Sequence, residues 1–314
     1  MWKTKKNSIL LTISIIFVLS LANCQQKPRE TPTSGKLNVY VSDSHLPLVQ
    51  READVFNSLY ADAHISLLTA STRECLVHLL NDSVRMVFTD RALNDEERQV
   101  IQKENLKIEE VKVAIDALAL LVNHLNDSDN LTMAGLVDIL DGKTTDWNQP
   151  GNRRFKGPIH LATTGKNSGA YELLKNHFLK RDKELSPSII LNSQAQVLEY
   201  VAKDPQALGV VSLACFKEDT LATLTGKDDG KVRPLAFMIT DSSGTPARVT
   251  LHPYYLHSGE YPLHYPLYVY FNARSRLAAG FSAFIASAPG QKIILNWGLV
   301  PATMPVRFVQ LQTR

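Results

Sequence analysis

The sequence predicts an α/β protein in two lobes, each a mainly parallel sheet flanked by helices. Three observations carry that reading. The chain has 314 residues, more than one ordinary core organises and about right for two domains. Short apolar runs alternate with helical patterns along most of it, the signature of strand–helix–strand units around parallel sheets. Several of those runs end in Ser, Thr or Asp just before the next helix begins, which gathers polar loops at the carboxyl edge of a sheet, where such folds hold ligands.

The first segment stands apart. Lys3, Lys5 and Lys6 precede an uncharged run from Ile9 to Ala22 that stops at Asn23-Cys24. A basic start followed by an apolar run of this length is a secretory leader, too short for a comfortable membrane-spanning helix. Leu21-Ala22-Asn23-Cys24 resembles a bacterial lipoprotein signal, which implies cleavage after residue 23 and lipidation of Cys24; a plain leader with an incidental cysteine is the alternative. Loss of residues 1–23 removes three lysines and no acid, so the formal net charge falls from +3 to zero. The basic balance therefore belongs to the leader and argues for no nucleic-acid partner. Residues 24–35, reading QQKPRETPTSG after the cysteine, are expected to form a flexible tether.

Leu37–Val41 reads as a buried strand ending at Ser42-Asp43-Ser44-His45, with a helical pattern from Leu46 to Tyr60 behind it; Pro47 sits in the first turn, which tolerates it. Ile65–Leu68 is a strand ending at Thr69-Ala70-Ser71-Thr72, before a helix over Glu74–Leu80. Met86–Phe88 ends at Thr89-Asp90-Arg91, and Asn94 caps a charged helix, Asp95–Gln102. Val111–Asn123 is a long apolar run with Asp116 as its one acid; it suits a buried strand passing between domains, with Asp116 paired inside. Thr132 starts a helix over Met133–Leu140, and Trp147 is core or lid. Ser188–Leu191 and Leu208–Ala214 read as strands around a helix at Ala195–Ala202. Leu221–Gly230 is loop-like, Val232–Ile239 a strand and Asp241–Ala247 an exposed turn. A tyrosine-rich segment ends in the strand Leu267–Phe271, and helices follow at Leu277–Ser287 and Gln291–Trp297.

The most informative stretch is LATTGKNSGAYELLKNHF, Leu161–Phe178. A strand feeds a polar loop that opens into a helix. A helix start carries unpaired N–H groups and the positive end of the dipole. With hydroxyls from Thr163, Thr164 and Ser168 and the charge of Lys166, the loop suits a small anion; the plain alternative is that Asn167 or Ser168 only caps the helix. Asp43 or Asp90, placed opposite, would accept a proton from the ligand and repel an anion that lacks one; Asp90 could equally be tied to Arg91.

Enzymatic readings find little support. Ser168 stands in G-K-N-S-G, without nucleophile-elbow spacing, and no Walker spacing surrounds Lys166. The histidines are scattered, and Cys75 and Cys215 lie far apart, so no metal or other cofactor is expected. Two buried free thiols or one disulfide are both open for that pair.

Taken in order, SDSHLPLVQREADVF, DSVRMVFTDRALNDEE, AIDALALLVNHLN, LVDILDGKTTDW, GKNSGAY, YVAKDPQALGVVS, GEYPLHYPLYVYF and GFSAFIASAPGQKIILNWGLVP resemble the PstS-like phosphate-binding proteins of bacterial ABC transporters, in their lipoprotein branch. The resemblance spans residues 36–304 and implies a periplasmic-binding-protein type II fold: lobe 1 over 36–118 and 250–314, lobe 2 over 119–249, joined by two crossing strands and closing by hinge motion. By position it places Ser42, Asp43, Ser44, Ser71, Thr72, Asp90, Arg91, Ser168, Gly169 and Ala170 in the family's binding loops, with no catalytic residue; the reading of the loop itself adds Thr164 and Lys166 as ligand-binding candidates. It implies inorganic phosphate as ligand, ABC permease subunits as partners, a monomer, and a lipid-anchored place at the cell envelope facing the periplasm. Two positions depart from the family pattern: Thr164 and Gly165 stand where relatives often carry arginine, and Ala170 replaces a threonine. Another oxyanion, a small carboxylate, or a sensor role without transport are the alternatives.

Overall fold

The computed structural model describes residues 30–148, 155–179, 183–216, 231–240 and 244–305. The leader, Cys24, the loop at 221–230 and the start of the turn at 241–247 lie outside the described residues.

The chain begins with three strand–helix units: β1 (Gly35–Val41) and α1 (Leu46–Leu59), β2 (Ala63–Thr69) and α2 (Thr72–Leu80), β3 (Met86–Thr89) and α3 (Asp95–Lys103). β4 (Ile108–Asn123) leads to β5 (Asn130–Thr132) and α4 (Met133–Leu140). A second set follows: β6 (His160–Thr164), α5 (Gly169–Phe178), β7 (Ile189–Leu191), α6 (Gln194–Lys203) and β8 (Ala207–Ser212). Then come β9 (Val232–Pro234), β10 (Ala236–Thr240), β11 (Pro246–Val249), α7 (Pro253–Ser258), β12 (His264–Asn272), α8 (Arg276–Ala286), α9 (Ala288–Asn296) and β13 (Val300–Pro301).

The strands form two sheet halves that share β4, in the order β2-β1-β3-β12-β4-β8-β6-β7. β1, β2 and β3 run parallel, as do β6, β7 and β8; the strands next to β4 are antiparallel to it. β4 pairs with β12 as far as Ala117 and with β8 from Leu118. One continuous strand thus belongs to both lobes. Its sequence carries the change: Ile108–Lys112 is partly exposed, whereas from Val113 onward it is almost wholly buried, and such an apolar run suits a strand covered on both faces.

The return to the first lobe is made by residues 250–263, which carry α7, and not by a second long strand. The predicted strand at 232–239 is two strands: Leu235 N–H still bonds Leu120 O, then β10 leaves to pair with β5 and β11. Trp147 is core, with its indole N–H donating to Gln206 O at 3.1 Å. Cys75 and Cys215 are both free thiols.

Residues 30–35, expected as tether, are docked. The Glu30 carboxylate accepts from Ser275 Oγ and Leu277 N–H, each 2.8 Å, at the start of α8. A Cβ on Gly280 would lie 1.9 Å from Pro32 O, so only glycine lets this segment lie on the helix. The Glu30 carboxylate finds its partners there, so the segment from Glu30 is held on α8.

The first lobe packs α1 and α8 on one face of its sheet, where Phe56 meets Phe281 at 5.1 Å and Phe284 at 5.5 Å between ring centres. Such rings contribute about 1.5–3 kcal/mol each by burial. Glu52 lies on the same buried face of α1, 1% exposed, with neither carboxylate oxygen hydrogen-bonded. Burial raises its carboxyl to about 9.

Candidate functional site

Strand ends from both lobes meet at a cleft of about 510 Å³. β1 delivers Ser42, Asp43 and Ser44, and β2 delivers Ser71 and Thr72; across from them stand Thr164, Lys166, Ser168 and Gly169 after β6, with Asn192 and Ser193 after β7. A larger groove of about 770 Å³ runs beside it, lined by Arg91, Glu97, Lys175, Glu172 and Glu184 among others. Its charges pair with one another, Arg91 with Glu97 and Glu172, Lys175 with Glu184. The smaller cleft, where strand ends and helix starts of both lobes converge, is the candidate.

The second lobe brings donors. Ser168 is the N-cap of α5. Its Oγ accepts from Tyr171 N–H at 3.2 Å and from Thr164 Oγ at 2.8 Å, so its own proton is left to donate into the cleft. The N–H groups of Gly169 and Ala170 belong to the first turn, which the helix itself cannot satisfy. Capping by Ser168 leaves these donors available, so the cap reading and the anion reading of this loop are not rivals.

The first lobe brings acceptors. Asp90, 3% exposed, takes a 2.7 Å hydrogen bond from Thr72 Oγ1. Its carboxylate presses on the start of α5: a Cβ on Gly169 would lie 1.8 Å from Asp90 Oδ1. Asp43 Oδ2 accepts from Gln194 N–H, the start of α6, at 2.8 Å. Burial pushes the Asp43 carboxyl up, against the opposing pull of that N–H and of His45. Arg91 is not the partner of Asp90; it holds Glu97 bidentately and bridges to Glu172 on α5. The lobes are thus closed upon each other by Asp43, Asp90 and Arg91.

Behind the cleft runs a buried polar seam. Ser42 Oγ lies 2.8 Å from His45 Nδ1, and His45 Nε2 lies 3.0 Å from Asp116 Oδ2. Asp116 also accepts from Ser212 Oγ and Tyr265 Oη, both at 2.7 Å, and from Ala117 N–H at 2.6 Å. Ser212 N–H in turn donates to Gln194 Oε1 at 2.9 Å. Burial alone would lower the His45 imidazole; the hydrogen bond and charge of Asp116, with Asp90 and Asp43 nearby, reverse this and hold it raised.

Of the predicted residues, Ser42, Asp43, Ser44, Ser71, Thr72, Thr164, Lys166, Ser168 and Gly169 line the cleft. Asp90 is not among the lining residues and lies buried against Thr72 and Gly169, which are; Ala170 packs into the core, leaving only its backbone to offer. Two roles need correction. Lys166 is largely exposed and pairs with Glu184 at 3.4 Å, so water and a carboxylate hold its charge outside the pocket. Ser71 is spent on capping: its Oγ donates to Glu74 Oε2 at 2.8 Å and accepts Glu74 N–H. His45, Gln194 and Ser212 were not anticipated. Only their positions, each at a strand end or helix start, hinted at them. Among the described residues no cluster of His, Cys, Asp and Glu could hold a metal ion, and no helix is long and apolar enough to cross a membrane.

Residues 27–289 match a family model described as PBP superfamily domain. The phosphate-binding protein PstS of Staphylococcus aureus is 24% identical over 260 residues, 80% of this chain and 73% of that one. A putative phosphate ABC transporter substrate-binding protein from Clostridium perfringens, solved with bound phosphate, has a TM-score of 0.71 at 20% identity, covering 85% of this chain and 100% of that one. An ABC-type phosphate transport receptor from Vibrio cholerae has a TM-score of 0.63 at 21% identity, covering 86% and 100%.

Proposed function

The chain belongs to the PBP superfamily domain family, and from that premise we propose that it captures inorganic phosphate in the cleft between its lobes and passes it to an ABC importer. The observation that carries this is the start of α5. There Ser168 and Gly169 line the cleft, and the Asp90 carboxylate lies in contact with Gly169 in the first turn. Donors on one side hold phosphate oxygens, and a carboxylate on the other accepts the proton that phosphate retains and sulfate lacks. The names of the relatives in S. aureus, C. perfringens and V. cholerae support the ligand. The protein binds and releases without chemistry. In this reading lipidated Cys24 anchors a monomer to the cell envelope, facing the periplasm, with ABC permease subunits as its partners. Lobe 1 is residues 36–118 and 250–314, lobe 2 residues 119–249.

A second reading, another oxyanion or a small carboxylate, is favoured by the missing arginine. Arginine gives bidentate recognition of phosphate that no residue lining this cleft reproduces. Isothermal titration of the full chain, held in detergent, with phosphate and with sulfate tests both. Saturable binding of phosphate alone is expected. Binding of both would show that Asp90 does not read the ligand's proton, and silence to both in folded protein would refute the phosphate reading.

A further inference from the structure

Resting on that reading, the geometry points to His45 as the cation of this cleft, acting through the Ser42 hydroxyl in place of the absent arginine. Ser42, Asp43, Ser44, Ser71, Thr72 and Glu74 form the first-lobe wall, and Lys166, the one cation among the described residues lining the cleft, is turned to Glu184. A site for an anion walled by carboxylates needs a positive charge from somewhere. His45 is fully buried directly beneath Ser42, between Ser42 Oγ at 2.8 Å and Asp116 Oδ2 at 3.0 Å.

The groups facing the imidazole agree on its charge. Asp116 reaches it from β4, Asp43 from its own loop and Asp90 from the end of β3; all three favour the imidazolium. Tyr265 from β12 presents its ring edge-on at 6.3 Å, with its hydroxyl turned to Asp116. Ser212 is likewise bonded to Asp116, and the Cys215 thiol beyond it is held neutral, its burial and the same carboxylates raising it. With both ring nitrogens protonated, Nε2–H donates to Asp116 and Nδ1–H donates to Ser42 Oγ. Ser42 Oγ has no other partner among the described residues. Its own proton is then free for the cleft, polarised by the cation behind it.

On this inference the Ser–His–Asp series here is not a nucleophile with its base. An imidazolium has no lone pair to take the serine proton. The series makes Ser42 a charge-assisted donor, which is what an anion site requires. His45 is a positioning residue: it touches the ligand only through Ser42.

The test is phosphate affinity against pH, by titration calorimetry on the full chain in detergent, for the unaltered protein, His45→Gln and Ser42→Ala. The His45 ring is followed by NMR in parallel. Between about pH 5.5 and about pH 8.5 the unaltered protein should lose affinity by about tenfold or more beyond the change seen in His45→Gln. The ligand's own titration is common to both proteins. Linkage requires phosphate to raise the His45 midpoint in return, a shift that a purely structural histidine would not show. Ser42→Ala should keep the His45 titration and lose its response to phosphate; it decides the matter should His45→Gln fail to fold. The same pH profile in His45→Gln as in the unaltered protein, or a His45 midpoint indifferent to phosphate, overturns the inference alone. No phosphate binding at any pH overturns the function proposed above and this inference with it.

Discussion

The wall of the cleft built on β1, β2 and β3 presents carboxylates, Asp43 and Asp90, whereas the wall built on β6 and β7 presents hydroxyls and the starts of α5 and α6. Each carboxylate sits on a helix start of the other wall: Asp43 on Gln194 N–H and Asp90 against Gly169. The two walls complement one another before any ligand is considered. An anion entering between them has to share donors that already have a negative partner. It can do so only by bringing a proton for a carboxylate to accept, or by drawing on the buried imidazolium. In the proposed reading the difference between the walls would act as a filter, admitting an anion without a cation exposed to it.

The comparison is broken most severely at Gly169. Gly169→Ala would drive a methyl group into the Asp90 carboxylate, which Thr72 and its burial hold in place. We expect the lobes to be held apart, phosphate affinity to fall by about 100-fold or more, and the radius of gyration in X-ray scattering to rise. Asp90→Asn changes the acidic wall and leaves its shape. Phosphate affinity should drop by about 10- to 100-fold, the worth of one charge-assisted hydrogen bond, while sulfate begins to bind; competition calorimetry measures both. Glu172→Gln removes the bridge to Arg91 beside the cleft. Both side chains are partly exposed, so the cost should be only about threefold in affinity and should vanish at high salt.

A change outside both walls sharpens the comparison by leaving it alone. Glu52 is buried without a partner in the first lobe, its carboxyl raised by burial to about 9. In the unfolded chain it ionises near its ordinary value of 4.5. The unfolded state therefore loses this proton first. Stability is undiminished below that value and falls as pH rises toward 9. Glu52→Gln should match the unaltered protein near pH 4, exceed its melting temperature by roughly 5 °C near pH 8, and leave phosphate affinity unchanged.

Much of the fold was legible because periodicity and turn chemistry are local. The alternation of strands and helices, the cap at Ser168 and the long run through Asp116 were read from neighbours in the chain, and those elements stand where expected. What escaped was long-range. Val232–Ile239 reads as one strand, yet it splits between two sheets because β5 and β11 pair with its second half from either side. The segment before Gly35 reads as tether by composition, yet α8 offers a donor pair for Glu30 and a glycine for Pro32 to lie on.

The site divides in the same way. The sequence by itself determined that hydroxyls and acids would end several strands, that a helix start would face them, and that Asp116 would be buried. These follow from residue type and spacing, which act over one turn or one strand. Only the tertiary structure decided which of them meet. It turned Lys166 outward to Glu184, bound Ser71 to Glu74 and pressed Asp90 onto Gly169. It also brought His45 to Asp116 across 71 positions of the chain. A hydrogen bond depends on a few tenths of an ångström between elements that the sequence places far apart, and only their packing sets that distance.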